Sequence, residues 1–368
     1  MKSVTLSLLQ SAANAFDFGG PVVCDANHYG EGHINDTFMV WREDHSKRFI
    51  LQRINTDTFT NPVGLMENVC GVTRHLRAKI LAEGGDPARE TLNVIPTLSG
   101  STCYLDADGG AWRAYDFVED TICLQQVGSE TDFRTVAETL GKFQNQLEDY
   151  PASTLHETIA RFHDTPNRYA NFEKALAADA LGRAKNITSE IEFIHAREQD
   201  CHVLLDQLAA GEIPLRVTHN DTKINNVLID ATTGKGICVI DLDTVMPGLS
   251  AYDFGDSIRF GANHCAEDEA DLSKVNFSME LFEIYTKGFL QAAGEAFTPL
   301  EKQTLPWGAK LMTMECGMRF LSDYLEGDHY FHINYETQNL NRARTQFKLT
   351  ADMERNWDAM QKVIEKYC

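Results

Sequence analysis

The chain has 368 residues, of which 43% are apolar and 24% charged, and it carries a formal net charge of −21 at pH 7. This length exceeds one ordinary hydrophobic core and predicts two unequal lobes. The acidic balance argues against nucleic acid or an anionic membrane as a partner. Nine cysteines are scattered singly, which is typical of reduced thiols in a cytosol, and every apolar stretch is shorter than a membrane span. The composition therefore predicts a cytoplasmic protein.

The N-terminal segment predicts a helix followed by strands. Apolar residues recur near the start at helical spacing, at Leu6, Leu9, Ala13 and Phe16. A glycine pair, Gly30 and Gly32, then leads into a strand that reaches residue 40, and residues 48–54 form a second strand. Because glycines let backbone N–H groups approach phosphate oxygens closely, this loop is a candidate phosphate-binding segment.

A helix and two more strands complete this part of the chain. The pattern predicts the helix over 63–76 and the strands over 92–98 and 111–117, with a hairpin turn at 106–110 between them. Residues 115–119 then lead into helical sequence, which makes them the natural linker between lobes.

We therefore place the boundary between a small lobe, residues 1–117, and a large lobe, residues 118–368. The large lobe is mainly helical in its periodicity. Helices are expected over 133–147, 167–181 and 189–208, and again across 266–365.

The most informative stretch runs from Arg216 to Asp241 and contains His219, Asp221, Lys223 and Asn226 in the order H-x-D-x-K-x-x-N. Short apolar strands flank this polar loop, and a third strand ends on the carboxylate of Asp241. The order and setting resemble the catalytic loop of the protein-kinase superfamily. A polar hairpin with an exposed Asp and Asn is the plain alternative, but four polar residues in this order make it improbable.

Each residue type has a role in phosphoryl transfer. Asp221 can accept the proton of an attacking hydroxyl, and Lys223 can neutralise charge on the transferring group. Asn226 and Asp241 can supply oxygen ligands to Mg²⁺, although Asp243 is a close rival of Asp241.

A literal D-F-G sequence begins at Asp253, thirty-two residues beyond Asp221 and after a Pro-Gly turn. Residues 230–236 are predicted to form a hairpin turn between the second and third strands. The metal carboxylate is expected on the strand directly after this hairpin instead. We interpret Asp253 and Asp256 as structural carboxylates that brace the loop.

The small-lobe strand departs from the kinase pattern. Gln52 stands where such a strand usually carries an ATP-binding lysine, and Arg53 lies beside it. Arg53 after a small shift, His33 or Lys223 could meet the phosphate charge. Glu67, in the predicted helix, would pair with such a cation; a solvated helical charge is the equal alternative.

Near the C-terminus, residues 315–331 mix arginine, aspartate and tyrosine with an apolar helical face. Sugar sites use planar donors for hydroxyl groups and aromatic faces for the C–H side of the ring. Arg319 and Tyr330 are the residues that simple helix packing explains least.

Taken together, these motifs resemble the aminoglycoside phosphotransferase and choline kinase branch of the kinase superfamily, over most of the chain. The segments 30–35, 49–55, 217–226, 239–248 and 319–328 carry the resemblance, and together they favour the branch members that phosphorylate an N-acetylhexosamine at its anomeric hydroxyl.

The resemblance implies an α+β, bilobal protein-kinase-like fold, with an antiparallel sheet and a helix in the small lobe and a mainly helical large lobe. It implies MgATP as phosphate donor and GlcNAc or GalNAc as the sugar acceptor, with the 1-phosphate as product. Asp221 becomes the base, Asn226 and Asp241 the metal ligands, and His33, Arg319 and Tyr330 sugar contacts. The nucleotide would be held by Gly30, Gly32, Arg53, Glu67 and the linker backbone at Asp116 and Val118.

Two alternatives stay open. The acceptor could be another small alcohol, such as homoserine, choline, ethanolamine or an aminoglycoside; a cationic acceptor would need clustered carboxylates, and the tail offers Glu315, Asp323, Glu326 and Asp328. The protein could instead be a non-catalytic nucleotide-binding scaffold, although Asp221, Asn226 and Asp241, whose loss would support that alternative, are all present. The sequence leaves the oligomeric state open.

Overall fold

The computed structural model describes residues 4–30 and 34–368. Two units are distinguished by their internal contacts. Unit 1 comprises residues 1–122, 149–160 and 228–246, and unit 2 comprises residues 123–148, 161–227 and 247–368.

The helices are α1 Leu6–Ala13, α2 Pro62–Ala82, α3 Glu130–Gln146, α4 Thr165–Ala178, α5 Thr188–His195, α6 Val203–Ala209, α7 Ser250–Gly261, α8 Met279–Ala293, α9 Pro299–Glu326, α10 Gln338–Arg355 and α11 Trp357–Tyr367. The strands are β1 Val22–His28, β2 Asp36–Arg42, β3 Arg48–Ile54, β4 Val94–Ile95, β5 Tyr104–Leu105, β6 Ala111–Asp116, β7 Thr121–Cys123, β8 Arg216–Thr218, β9 Val227–Asp230, β10 Gly236–Val239 and β11 Met246–Gly248. In the described residues, none of the helices combines the length and apolarity needed to cross a bilayer.

Unit 1 is built on an antiparallel sheet with strand order β1-β2-β3-β6-β4, and β5 pairs with β6. Alternate residues of these strands point to opposite faces. One face buries Phe38, Phe49, Leu51 and Trp112 against α1 and its flanking residues. The predicted N-terminal helix and the strand at 48–54 are thus confirmed, although Leu6 of the helix is exposed.

The predicted hairpin after Ile229 is also present in unit 1, where β9 and β10 belong to a second, three-stranded sheet with β7. The Asp230 carboxylate accepts the amide N–H groups of Thr232 and Thr233, at 3.1 and 2.7 Å, and Gly234 adopts a positive φ of 70°. These two features reverse the chain, and β10 ends at Val239, two residues before Asp241.

Unit 2 is mainly helical, as the periodicity predicts. Its longest helix, α9, has a capping box in which Thr298 and Glu301 exchange hydrogen bonds with each other's backbone. Helix α7 packs against α9 at a point where a Cβ on Gly308 would lie 1.9 Å from the Ala251 carbonyl oxygen. A glycine is therefore required there, and the close approach fixes α7, which lies behind the 219–226 loop.

The strand β1 was not predicted, and two predicted elements are broken or shortened in the structure. The expected helix over 189–208 is broken between α5 and α6, where Arg197 binds Glu354 and Asp200 binds Lys310. These tertiary ion pairs compete with a continuous helix. The expected strand over 92–98 is reduced to Val94–Ile95, because Pro96 has no N–H to give to a ladder and its carbonyl oxygen accepts from Asp17 instead.

Candidate functional site

The 219–226 loop follows β8 in unit 2 and is braced by Asp253 of α7. The buried Asp253 carboxylate accepts the amide N–H groups of His219 and Asn220, at 2.9 and 2.7 Å, and also the Gln144 amide. The Thr222 hydroxyl donates to the Asp253 carbonyl oxygen. The interpretation of Asp253 as a structural carboxylate is therefore confirmed, and the literal D-F-G is not a metal motif by position.

The loop presents Asp221 beside a cation. Both carboxylate oxygens of Asp221 lie near the Lys223 ammonium, at 2.8 and 3.0 Å. Burial favours a raised pKa for Asp221, but the charge and hydrogen bond of Lys223, with His219 and Arg259, outweigh burial and lower that pKa. Asp221 is thus ionised at neutral pH, as an acceptor of a hydroxyl proton must be.

Asn226 turns back onto the same loop. Its side-chain amide donates to the Asp221 carbonyl oxygen at 2.8 Å and to the Asp221 carboxylate at 3.3 Å. The nitrogen is committed in this way, so the amide oxygen of Asn226 is the atom that could serve a metal. A neutral oxygen next to a carboxylate is a donor set that suits Mg²⁺.

A buried histidine outside the H-x-D-x-K-x-x-N motif supports this loop. His163 contacts the Asn220 carbonyl oxygen through Nε2 at 2.9 Å and the Glu315 carboxylate through Nδ1 at 3.2 Å. The side chains of His163 and Glu315 are 9% and 3% exposed. Burial favours a lowered pKa for His163, but Glu315 and the Asn220 carbonyl outweigh burial and raise it. The spacing of His163 from the loop in sequence gave no signal of this contact.

Glu315 belongs to α9, one helical turn before Arg319. Arg168 lies 3.5 Å from the Glu315 carboxylate, and the Arg319 charge adds to the effects of His163 and Arg168, which together overcome burial and lower the pKa of Glu315. The loop carrying Asp221 and the helix carrying Arg319 are thus linked through a buried ion pair in unit 2.

Tyr330 and Arg319 come together in the structure. The Arg319 guanidinium lies 5.9 Å from the Tyr330 ring centroid and 5.4 Å from that of Phe331. The loop that holds Tyr330 is fixed by the buried Asp323, whose carboxylate accepts the amide N–H groups of His329, Tyr330 and Phe331 at 2.8–2.9 Å. Tyr330 itself remains 71% exposed, so a firmly held loop presents an aromatic face beside a cation.

Asp241 and Asp243 lie in unit 1 and have different environments. Asp241 is exposed and adopts a left-handed backbone conformation, with φ 58° and ψ 56°, between β10 and a 3₁₀ turn over Leu242–Thr244. Such a conformation is uncommon for a residue with a side chain and clusters at functional sites. Asp243 is 3% exposed and forms an ion pair with Arg113. The two carboxylates thus differ in access: Asp241 is exposed, whereas Asp243 is buried in an ion pair.

The structure places the other predicted nucleotide residues as follows. Gly30 has a φ of 82°, and a Cβ built on it would meet no atom of the described residues within 4 Å. Gly32 and His33 lie outside the described residues. Arg53 lies on the opposite face of β3 from Gln52, where its guanidinium is 5.8 Å from the Trp112 ring centroid. This position does not support Arg53 as the substitute for the lysine.

Glu67 is paired with His156, at 2.6 Å, and the two side chains are 60% and 45% exposed. The expectation that Glu67 pairs with a sheet cation is therefore wrong, and the solvated alternative describes it. The buried neighbour in α2 is Asn68, whose amide donates to the carbonyl oxygens of His156 and Val245.

The predicted adenine linker follows β6 in unit 1. The amide N–H of Asp116 is already bound to the Asn93 carbonyl oxygen at 2.9 Å, and that of Phe117 to the Arg48 carbonyl oxygen at 3.3 Å. The Val118 carbonyl oxygen accepts the Thr121 hydroxyl at 3.0 Å. The N–H groups of Asp116 and Phe117 are thus both committed to carbonyl oxygens within unit 1.

Solved structures with a similar fold support the expected architecture. An aminoglycoside phosphotransferase from Alicyclobacillus acidocaldarius has a TM-score of 0.61 and 10% identity, with 97% of this chain and 96% of that chain covered. A choline kinase from Cryptosporidium parvum has a TM-score of 0.56 and 13% identity, with 99% of both chains covered. A spectinomycin phosphotransferase, solved with ADP and spectinomycin, has a TM-score of 0.52 and 12% identity, with 97% and 99% covered.

At these identities the similarity establishes the fold, and the predicted α+β kinase-like fold is confirmed. The family evidence is separate: the family model described as "phosphotransferase enzyme family" (APH) matches residues 25–284, which is more than half of the chain. The chain therefore belongs to this phosphotransferase family and has its kinase-like fold.

Proposed function

We propose that the protein transfers the γ-phosphate of MgATP to the anomeric hydroxyl of an N-acetylhexosamine, GlcNAc or GalNAc, to give the sugar 1-phosphate. Asp221 is the base, Lys223 neutralises charge near the transferring group, and Arg319 and Tyr330 contact the sugar. His33 remains part of the proposal as a further sugar contact.

The observation that carries the choice of acceptor is the state of the carboxylates in the C-terminal segment. Glu315 is buried and bound by His163 and Arg168. Asp323 is occupied by three backbone N–H groups and by Asn339. Asp328 is bound by Arg183 at 2.6 Å and by Asn339 at 2.9 Å.

A cationic amine needs carboxylates with unsatisfied charge, and these three carboxylates already have partners. Glu326 is exposed at the end of α9, and by itself it does not make a cluster. Arg319 and Tyr330 offer the opposite chemistry, a planar donor for carbonyl or hydroxyl oxygens and an aromatic face for a sugar ring. A neutral, acetamido-bearing sugar fits this combination better than a choline or a polyamine.

The chemistry of Asp221 is compatible with an anomeric hydroxyl. A carboxylate with a lowered pKa is a weak base, so it is better suited to orienting a hydroxyl than to removing its proton early. An anomeric hydroxyl is more acidic than an ordinary alcohol, and phosphoryl transfer passes through a loose transition state that asks little of the base. Alignment by the fixed 219–226 loop then contributes the larger share of the rate.

The donor set is also compatible with MgATP. The Asn226 amide oxygen and the exposed Asp241 carboxylate are hard oxygen ligands, as Mg²⁺ requires. When bound, the metal would neutralise charge on the phosphate oxygens. Gly30, with its open surroundings, and Gly32 are proposed to cover the phosphates, and Asp116 and Val118 to face the adenine through their backbone.

The test is ADP release with MgATP and a panel of acceptors: GlcNAc, GalNAc, glucose, choline, homoserine and kanamycin. Saturable turnover with the N-acetylhexosamines, with the new phosphate on C1 by phosphorus NMR, is the expected result. Turnover confined to an amino alcohol or an aminoglycoside would retain the phosphotransferase and discard the sugar. Nucleotide binding without turnover on any acceptor would favour a non-catalytic scaffold.

A further inference from the structure

The position of the missing lysine in unit 1 is filled by a closed polar network. Gln52 is paired across the sheet with Arg113, so both side chains share one face. The Gln52 amide donates to the Thr37 hydroxyl at 2.9 Å, and its oxygen accepts from Arg113 Nε at 2.9 Å. A cation is therefore present near the lysine position, but it comes from β6, the neighbouring strand.

Arg113 continues the network to Asp243. The Arg113 guanidinium donates to one Asp243 carboxylate oxygen, and the Asn35 amide donates to the other at 2.6 Å. The Asn35 oxygen in turn accepts the Asn55 amide N–H at 2.9 Å. The side chains of Arg113 and Asp243 are 1% and 4% exposed. Removing one partner would leave a buried charge without its counter-charge, which is strongly unfavourable.

This burial decides how Arg113 can act. A guanidinium with 1% exposure that already serves Gln52 and Asp243 has little surface to offer a phosphate. Asp243, however, lies in the 3₁₀ turn whose preceding residue is the exposed, left-handed Asp241. Val245, at the other end of the turn, is held by Asn68 at 2.9 Å. Holding Asp243 in place therefore holds the backbone conformation that orients the Asp241 carboxylate.

We infer that Arg113 is a positioning residue for metal-dependent nucleotide binding, which acts through Asp243 to hold the strained turn at Asp241. The pair adds no net charge, since one guanidinium balances one carboxylate. Arg113 thus takes over the structural part of the lysine's role, and a bound Mg²⁺ would supply the charge that neutralises the phosphates. The inference rests on the proposed function because it takes MgATP as the nucleotide.

The experiment measures nucleotide binding by isothermal titration calorimetry on the full chain without any acceptor, with ATP in Mg²⁺ and with ATP in EDTA. The main variant is the double substitution Arg113→Met with Asp243→Leu, because an apolar pair of similar volume often replaces a buried ion pair without loss of stability. Partners of metal ligands typically change metal affinity about 10–100-fold when removed. We expect a loss of at least about 10-fold in MgATP affinity with the affinity for ATP in EDTA unchanged.

Asn35→Ala provides a second test that leaves the buried charges paired. It removes the hydrogen bond from Asn35 to the Asp243 carboxylate together with the one that Asn35 accepts from the Asn55 N–H. It should weaken MgATP binding in the same direction by a smaller factor, about 3-fold. Arg42→Met, which removes a partly exposed arginine from the end of β2, is the matched control and should bind as the wild type does. Thermal unfolding of each variant identifies those that fold.

The inference would be overturned if the double variant and Asn35→Ala both fold and bind MgATP with wild-type affinity and wild-type Mg²⁺ dependence. The pair of Arg113 and Asp243 would then have a purely structural role. Equal losses in Mg²⁺ and in EDTA would also overturn it, because Arg113 would then serve the nucleotide directly. Since the binding measurement contains no acceptor, a wrong sugar assignment would leave this result untouched. Absence of nucleotide binding by the wild type would instead refute the proposed function.

Discussion

Replacement of His163 by glutamine tests the link between the 219–226 loop and helix α9. The imidazole contacts the Asn220 carbonyl oxygen at 2.9 Å and the Glu315 carboxylate at 3.2 Å, both in unit 2. Glutamine can still donate one hydrogen bond, but it carries no charge. The substitution therefore removes the cation of a buried ion pair while it preserves most of the volume.

The size of the effect follows from the burial of the pair. Breaking a buried ion pair by removing one partner costs about 3–5 kcal/mol. Arg168, at 3.5 Å from Glu315, keeps part of the compensation, and one hydrogen bond can be retained. We therefore expect a loss of about 2–3 kcal/mol in the free energy of unfolding at pH 6. At about 2–4 °C per kcal/mol for a unit of this size, the melting temperature should fall by roughly 5–10 °C.

The effect should depend on pH with a defined sign. The folded-state pKa of His163 is raised above its unfolded value of about 6.5. A raised pKa means that the stabilising contribution is fully present below the unfolded pKa and is lost as the pH rises through the folded pKa. The difference in stability between wild type and His163→Gln should therefore be largest near pH 5–6 and should shrink in alkaline solution.

The assay is thermal and urea unfolding of wild type and variant across this pH range. His195→Gln is the matched control, because His195 pairs with Glu173 on the same unit but the two side chains are 44% and 40% exposed. Exposed pairs contribute about 0–1 kcal/mol. A loss in His163→Gln no larger than that in His195→Gln, or a difference that grows with pH, would refute the reasoning.

Three further predictions concern turnover. Asp221→Asn should retain nucleotide binding and lose about 10²–10⁴ in kcat, the usual share of general-base chemistry; near-normal kcat would remove Asp221 from that role. Lys223→Met removes the cation that lowers the pKa of Asp221, so the acid limb of the kcat–pH profile should move to higher pH. An unchanged acid limb would show that this pair does not control the pH dependence of turnover. Tyr330→Ala should leave the melting temperature unchanged, since the side chain is 71% exposed, and should raise the KM for the sugar about 3–10-fold with the KM for MgATP unchanged; an unchanged sugar KM would exclude Tyr330 from the acceptor contacts.

Local chemistry that the sequence spells out is well predicted for this protein. The run from His219 to Asn226 is contiguous, so its order alone indicates a polar loop between strands with a base, a cation and an amide in reach of each other. The structure brings Asp221, Lys223 and Asn226 within hydrogen-bonding distance. The bracing role of Asp253 was predictable for a related reason, because a Pro-Gly turn separates it from the strand where a metal carboxylate belongs.

Pairings across the chain were less accessible. Arg113 and Asp243 are 130 residues apart, and His163 and Glu315 are 152 apart. The sequence around each of these residues does not indicate its partner, because only strand pairing or helix packing brings the partners together. The sequence offered Arg53, His33 and Lys223 as substitutes for the missing lysine but not Arg113. Arg53 is adjacent to Gln52 in sequence but lies on the other face of the strand.

The sequence by itself determined the family, the periodicity of the elements and the residues that can do chemistry. These properties depend only on residue types and their spacing within short segments. Tertiary structure decided which carboxylates are bound by residues that are distant in sequence. Residue type alone does not distinguish Asp243, Glu315, Asp323 and Asp328 from Asp221 and Asp241. The burial of these four carboxylates and their partners from other elements are set by packing.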